Sequence, residues 1–135
     1  MNVLVTGSNG FVGKNLVSEL KNIRDKKNKK YNVELNIFEY DLGINEDKLN
    51  YFCENADFVF HLAGVNRPKN ESEFMEGNFG FTSTLLSTLK KHSNKAPVLI
   101  TSSIQAALDN PYGKSKKAGE DLVFKYGKDN DVNVY

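Results

Sequence analysis

The chain has no tryptophan, one cysteine, two histidines and three prolines in 135 residues. A lone cysteine, Cys53, excludes an internal disulfide and fits a reducing compartment. It falls in a helical pattern and reads as a buried thiol. With only His61 and His92, and no acid at ligand spacing, no metal site is expected. Neither sign of charge dominates. Eighteen basic and 17 acidic residues leave a net charge of +1, which points to neither nucleic acid nor a membrane surface as partner. No apolar run approaches the roughly 20 residues of a membrane span. The first predicted strand begins at residue 2 and leaves no room for a signal peptide, so the expected location is the cytoplasm.

What is present is an alternation of strand and helix patterns over one domain, residues 1–135. It argues an α/β fold, a parallel sheet with helices on both faces. Strands are expected at Asn2–Thr6, Val33–Tyr40, Asp57–Ala63, Pro97–Ser102 and from Val132. Helices are expected at Phe11–Arg24, Glu46–Glu54, Glu71–His92 and Tyr112–Tyr126. Val12, Leu16, Val17, Leu20 and Ile23 would face inward from the first helix. Phe74, Met75, Phe79, Leu85, Leu86 and Leu89 would do so from the third. The pattern stops inside its last strand, so the fold is expected to be C-terminally truncated.

The first strand runs into Gly7-Ser8-Asn9-Gly10-Phe11-Val12-Gly13. A glycine-spaced turn between strand and helix lets backbone approach phosphates that a Cβ would exclude. The free N–H groups of the helix N-terminus then face the anion. Gly7, Asn9, Gly10, Phe11, Val12 and Gly13 are therefore candidates for holding a dinucleotide pyrophosphate. Lys21–Lys30 holds six basic residues and one acid. It reads as a solvated helix end or as a phosphate patch.

Tyr112 and Lys116 are four apart, which puts both on one face of a helix. A nearby ammonium favours the ionised form of a phenol and suits it to proton transfer. Ser103 follows a predicted parallel strand, at the sheet edge where open α/β folds bind ligands. Ser102 is the alternative if the loop register slips. His61, in a buried strand, reads as structural. His92 would serve a helix C-terminus.

These residues carry a resemblance. Gly7–Gly13, His61-Leu62-Ala63-Gly64, Thr101-Ser102-Ser103 and Tyr112-Gly113-Lys114-Ser115-Lys116 with Glu120 resemble the extended short-chain dehydrogenases/reductases, the NAD-dependent epimerase/dehydratase family. A narrower set resembles the bacterial capsular-polysaccharide reductases: Phe11–Leu16, His61–Pro68, Ser102–Ala106 and Asp109–Gly113. The resemblance implies a Rossmann-like doubly wound sheet. It also implies NAD(P)H-dependent reduction of the 4-keto group of a UDP-linked 6-deoxy-N-acetylhexosamine. Nucleotide-sugar epimerisation or dehydration, or a non-catalytic dinucleotide-binding module, remain alternatives. Ile104-Gln105, where the dehydratases carry Asp-Glu, counts against dehydration.

By the same resemblance Ser103 polarises the ketone, Tyr112 donates the proton, and Lys116 assists Tyr112 and holds the nicotinamide ribose. Asn78 supports the lysine through a water in a proton relay. Leu62, Ala63 and Gly64 line the adenine and ribose side. Asn66, Arg67 and Gln105 are candidate substrate contacts, with a surface salt bridge the other reading of Arg67. Asp41-Leu42 is either the ribose-binding acid after strand two or the adenine-holding pair after a missing third strand. Family habit favours NADP, with Arg24 and the following lysines as a possible phosphate site. A homodimer pairing through the long helix and the tyrosine helix is expected.

Overall fold

The structure is a computed structural model and describes residues 1–28, 30–65 and 69–135. Four parallel strands form one sheet in the order β2-β1-β3-β4. They are β1 (Asn2–Thr6), β2 (Asn36–Tyr40), β3 (Phe58–His61) and β4 (Val98–Ile100). Helices α1 (Phe11–Arg24), α2 (Glu46–Asn55), α3 (Ser72–Met75), α4 (Phe81–Lys91) and α5 (Pro111–Asn130) connect or follow them. The expected Rossmann-like order and both helical layers are present.

Alternation along β1 divides the core. Val3 and Val5 pack with Val17 and Leu20 of α1 on one face. Leu4 packs on the other with Leu49, Leu85, Leu89 and Val123 of α2, α4 and α5. Burying an aliphatic side chain of this size contributes about 1.5–3 kcal/mol, so a one-residue register slip in β1 would forfeit both clusters.

β1 and α1 have the expected bounds. β2 starts at Asn36 rather than Val33, because Val33 is exposed and finds no partner on β1. β3 ends at His61, and Leu62–Ala63 leave the ladder to approach the glycine turn. β4 is also shorter than expected, ending at Ile100. Val132–Tyr135 lies beside β4 through a single parallel bridge, Val98 to Val134. α5 runs on to Asn130, where Asp131 closes it in a left-handed conformation.

The expected single helix over Glu71–His92 is instead α3, a π-helical turn (Glu76–Gly80) and α4. A π turn adds a residue and rotates what precedes it relative to α4. Leu85, Leu86 and Leu89 are buried as expected, but Met75 and Phe79 are exposed and Asn78 takes the inward place. Val12 is likewise exposed rather than inward, because the glycine turn occupies that end of α1. Among the described residues no helix is long and apolar enough to cross a membrane.

Candidate active site

The C-terminal ends of β1, β2 and β3 converge on the glycine turn. Gly7 has φ +72°, a left-handed conformation, and a Cβ there would stand 2.6 Å from the Ala63 nitrogen. A Cβ on Gly13 would stand 2.0 Å from the Gly7 carbonyl oxygen. The turn is thus pressed against both the start of α1 and the segment after β3. Gly10 is the N-cap of α1 and offers no side-chain acceptor to its first N–H groups. Those groups and the helix dipole suit an anion.

A cleft of about 200 Å³ opens over this turn. Gly7, Gly10, Asp41, Leu42, Leu62, Ala63 and Gly64 line it, as the sequence suggested. Tyr40, Gly43, Val65, Gly77 and Phe81 line it too and were not foreseen. Tyr40 and Phe81 stack at 5.7 Å and form its floor. Their only signal was an aromatic at a strand end and another at a helix start. Phe11 and Val12 are exposed at the first turn of α1 and are not among the lining residues.

Asp41 directly follows β2, whose last residue Tyr40 is paired with Thr6 of β1. Its carboxylate accepts from the Asn9 N–H at 2.6 Å and from its neighbour Leu42 at 2.7 Å. The acid therefore stands beside the glycine turn. Arg24 and the lysines after it stand elsewhere. They follow the far end of α1, a 14-residue helix of about 20 Å. Arg24 pairs with Asp25, and Lys21 with Glu39. The Lys21 ammonium thus reaches β2 two residues before Asp41.

The second group of candidates meets the cleft across Gly64. A Cβ on Gly64 would stand 2.7 Å from Asn78 Oδ1 and 3.8 Å from Lys116 Nζ. Lys116 Nζ donates to the Thr101 carbonyl at 2.6 Å. Burial lowers the Lys116 pKa below the usual lysine value, and Glu120 partly offsets this. Tyr112, one turn earlier on α5, is half-buried with its ring edge-on to Phe74 at 5.5 Å. Asn110 caps α5 by accepting from the Gly113 N–H at 2.7 Å, and Pro111 fills the first helical position.

Ser103 caps the short 3₁₀ turn Ile104–Ala107, accepting from the Gln105 N–H at 3.2 Å. Its own proton stays available for a ligand. Ser102 instead donates to Glu120 at 3.4 Å. The Gln105 side chain is exposed. Asn66 and Arg67 lie outside the described residues.

Asn78 holds its side chain in direct bonds within the chain. Its Oδ1 accepts from the Val65 N–H at 2.9 Å, and its Nδ2 donates to Ser115 Oγ at 2.9 Å and to the Val65 carbonyl at 3.3 Å. The Thr82 hydroxyl donates to its main-chain oxygen at 2.6 Å. Asn78 is a packed anchor. Ser115 is fully buried. The sequence signal for it was a polar residue four before Gly119 in the inward stripe of α5.

His61 is buried between Thr6 and Thr82 and has the structural place expected. His92 caps α4 and bonds Asn50 Oδ1 at 2.9 Å. Cys53 is fully buried. Among the described residues no three His, Cys, Asp or Glu side chains group to hold a metal ion.

Comparison with known proteins matches residues 3–135 to the NAD dependent epimerase/dehydratase family. A UDP-2-acetamido-2,6-beta-L-arabino-hexul-4-ose reductase of Pseudomonas aeruginosa is 40% identical over all 135 residues. The chain spans 34% of that protein's length. The crystal structure of the capsular polysaccharide assembling protein CapF from Staphylococcus aureus is similar at TM-score 0.80 and 40% identity, over 100% of this chain and 34% of that one. RMD from Pseudomonas aeruginosa, complexed with NADPH, is similar at TM-score 0.74 and 26% identity, over 99% and 52% of the two chains.

Proposed function

The chain belongs to the NAD dependent epimerase/dehydratase family, and from that premise we propose that it is the cofactor-binding portion of a nucleotide-sugar reductase. Its substrate is a UDP-linked 6-deoxy-N-acetylhexosamine bearing a 4-keto group, the chemistry in the name of the Pseudomonas relative. The observation that carries this reading is the position of Gly64, with the glycine-turn cleft on one side and the Lys116 ammonium on the other.

The glycine turn fits a dinucleotide pyrophosphate because the space a Cβ would fill at Gly7 and Gly13 is already taken by backbone. Gly7, Gly10 and the first N–H groups of α1 hold the diphosphate. Leu62, Ala63 and Gly64 line the nucleoside side. A bound reduced nicotinamide supplies the hydride. Ser103 donates a hydrogen bond to the ketone oxygen and polarises the carbonyl. Tyr112 gives its phenolic proton to that oxygen as charge develops there. Lys116 holds a positive charge by the phenol that is left and bonds the ribose. The balance is one hydride to carbon and one proton to oxygen, giving an alcohol. Gln105, Asn66 and Arg67 are the sugar-side contacts in this reading.

On cofactor preference, Asp41 argues for NAD against the family habit of NADP. A carboxylate after β2 accepts ribose hydroxyls and repels a 2′-phosphate, and Lys21, which reaches β2, is paired with Glu39. The complete protein acts as a homodimer pairing through α4 and α5, in the cytoplasm where the reduced dinucleotide is made.

The test is loss of reduced-cofactor absorbance when the protein meets NADH or NADPH and a UDP-4-keto-6-deoxy sugar. Tyr112→Phe should abolish turnover and leave dinucleotide affinity unchanged. Undiminished turnover in that variant, or no dinucleotide binding by the wild type, overturns the reading.

A further inference from the structure

Four observations converge on Asn78. It is the buried residue of the π turn, on the face that Thr82, Leu85 and Leu89 continue along α4. The amide makes a two-point clamp on Val65, accepting from the N–H and donating to the carbonyl. The remaining amide proton goes to Ser115 Oγ. The Ser115 hydroxyl, with one proton to give, donates to the Tyr112 carbonyl at 2.7 Å. Val65 and Gly64 line the cleft, whereas Tyr112 and Lys116 belong to α5.

We propose that Ser115 is a positioning residue that, through Asn78, locks the cofactor-facing backbone at Gly64–Val65 to the helix carrying Tyr112 and Lys116. The chain of contacts is Val65, Asn78, Ser115, Tyr112, with every link a hydrogen bond to backbone or between buried side chains. Buried bonds of this kind are costly to leave half-made, so the clamp holds one geometry rather than several. It sets the separation between cleft wall and ammonium that Gly64 spans with no room for a Cβ. Serine suits position 115 because it must accept from the amide and donate to the carbonyl in a site with no exposed surface.

The proposal rests on the reading that this cleft holds a dinucleotide, and the experiment separates the two. Dissociation constants for NADH are measured by its fluorescence for the wild type, Ser115→Ala, Asn78→Ala and the double variant. Thermal melting is followed alongside. Ser115→Ala should weaken binding about fivefold, the scale of one lost hydrogen bond. It should cause no further loss in the Asn78→Ala background. A lowered melting midpoint with unchanged NADH affinity would make Ser115 merely structural and overturn the proposal, as would effects that multiply. Should Ser115→Ala fail to fold, Ser115→Cys keeps the volume with a weaker donor and is held to the same outcomes. If the wild type binds neither NADH nor NADPH, the functional reading falls. The clamp is then judged by hydrogen exchange of the Val65 N–H, which Ser115→Ala must accelerate; unchanged exchange overturns it.

Discussion

His61 Nε2 lies 2.7 Å from Thr82 Oγ1, and the direction of that bond assigns the imidazole its tautomer. The Thr82 hydroxyl has one proton, and it goes to the Asn78 carbonyl. Oγ1 must therefore accept from Nε2–H. Nδ1 is then bare and accepts from the Thr6 hydroxyl at 2.7 Å. One neutral histidine thus ties the end of β1 to the turn that carries Asn78. The ¹⁵N shifts of His61 should show a protonated Nε2 and a bare Nδ1 at neutral pH; the opposite assignment refutes the network.

The same burial makes stability depend on pH. Desolvation, and secondly the charge of Lys116, push the His61 pKa down to about 3. The unfolded chain takes up this proton near its ordinary value of about 6.5. Between these limits the unfolded state binds more protons, so stability is full above about 6.5 and falls as pH drops toward 3. Melting midpoints should decline from pH 7 to 4, and His61→Gln should flatten that slope while lowering the midpoint at pH 7. The carboxylates held below their usual range, Asp25, Asp109 and Asp129, are exposed and contribute only near and below pH 4.

Gly13→Ala forces a methyl group to 2.0 Å from the Gly7 carbonyl oxygen. The turn must shift, at a cost of about 1–3 kcal/mol as in other overpacked sites. Urea denaturation should report that loss, and dinucleotide affinity should fall more than tenfold. A neutral result means the turn accommodates the methyl and does not shape the site.

Asp41→Asn removes the negative charge after β2 and keeps an acceptor for the Asn9 N–H. The ratio of NADP to NAD affinity should rise about fivefold, since a repulsion near the protein surface is worth on the order of 1 kcal/mol. An unchanged ratio places the 2′-position away from Asp41.

Burial raises the Cys53 thiol to about 12. The native protein should not react with a thiol reagent at neutral pH, and the group should titrate fully only in denaturant. Rapid labelling of the folded chain would contradict its packing under α4.

Local pattern alone settles much of this protein. Strand β1, the glycine turn and α1 were legible to the residue, because each rests on short-range chemistry: an apolar run, glycines where a Cβ clashes, and a 3.6-residue period. Tyr112 and Lys116 share a helix face for the same reason. Only the tertiary structure decides the rest. The π turn leaves Met75 and Phe79 exposed and Asn78 bonded to Val65 and Ser115, partners from other elements that no helical period contains. Asp41 comes to stand beside the glycine turn because β2 pairs directly with β1, a matter of long-range pairing. The basic end of α1 meets β2 only in the folded chain, where Lys21 pairs with Glu39. Gly64 becomes the meeting point of cleft and ammonium only when β3 and α5 are packed together, since what it lacks matters only against what approaches it.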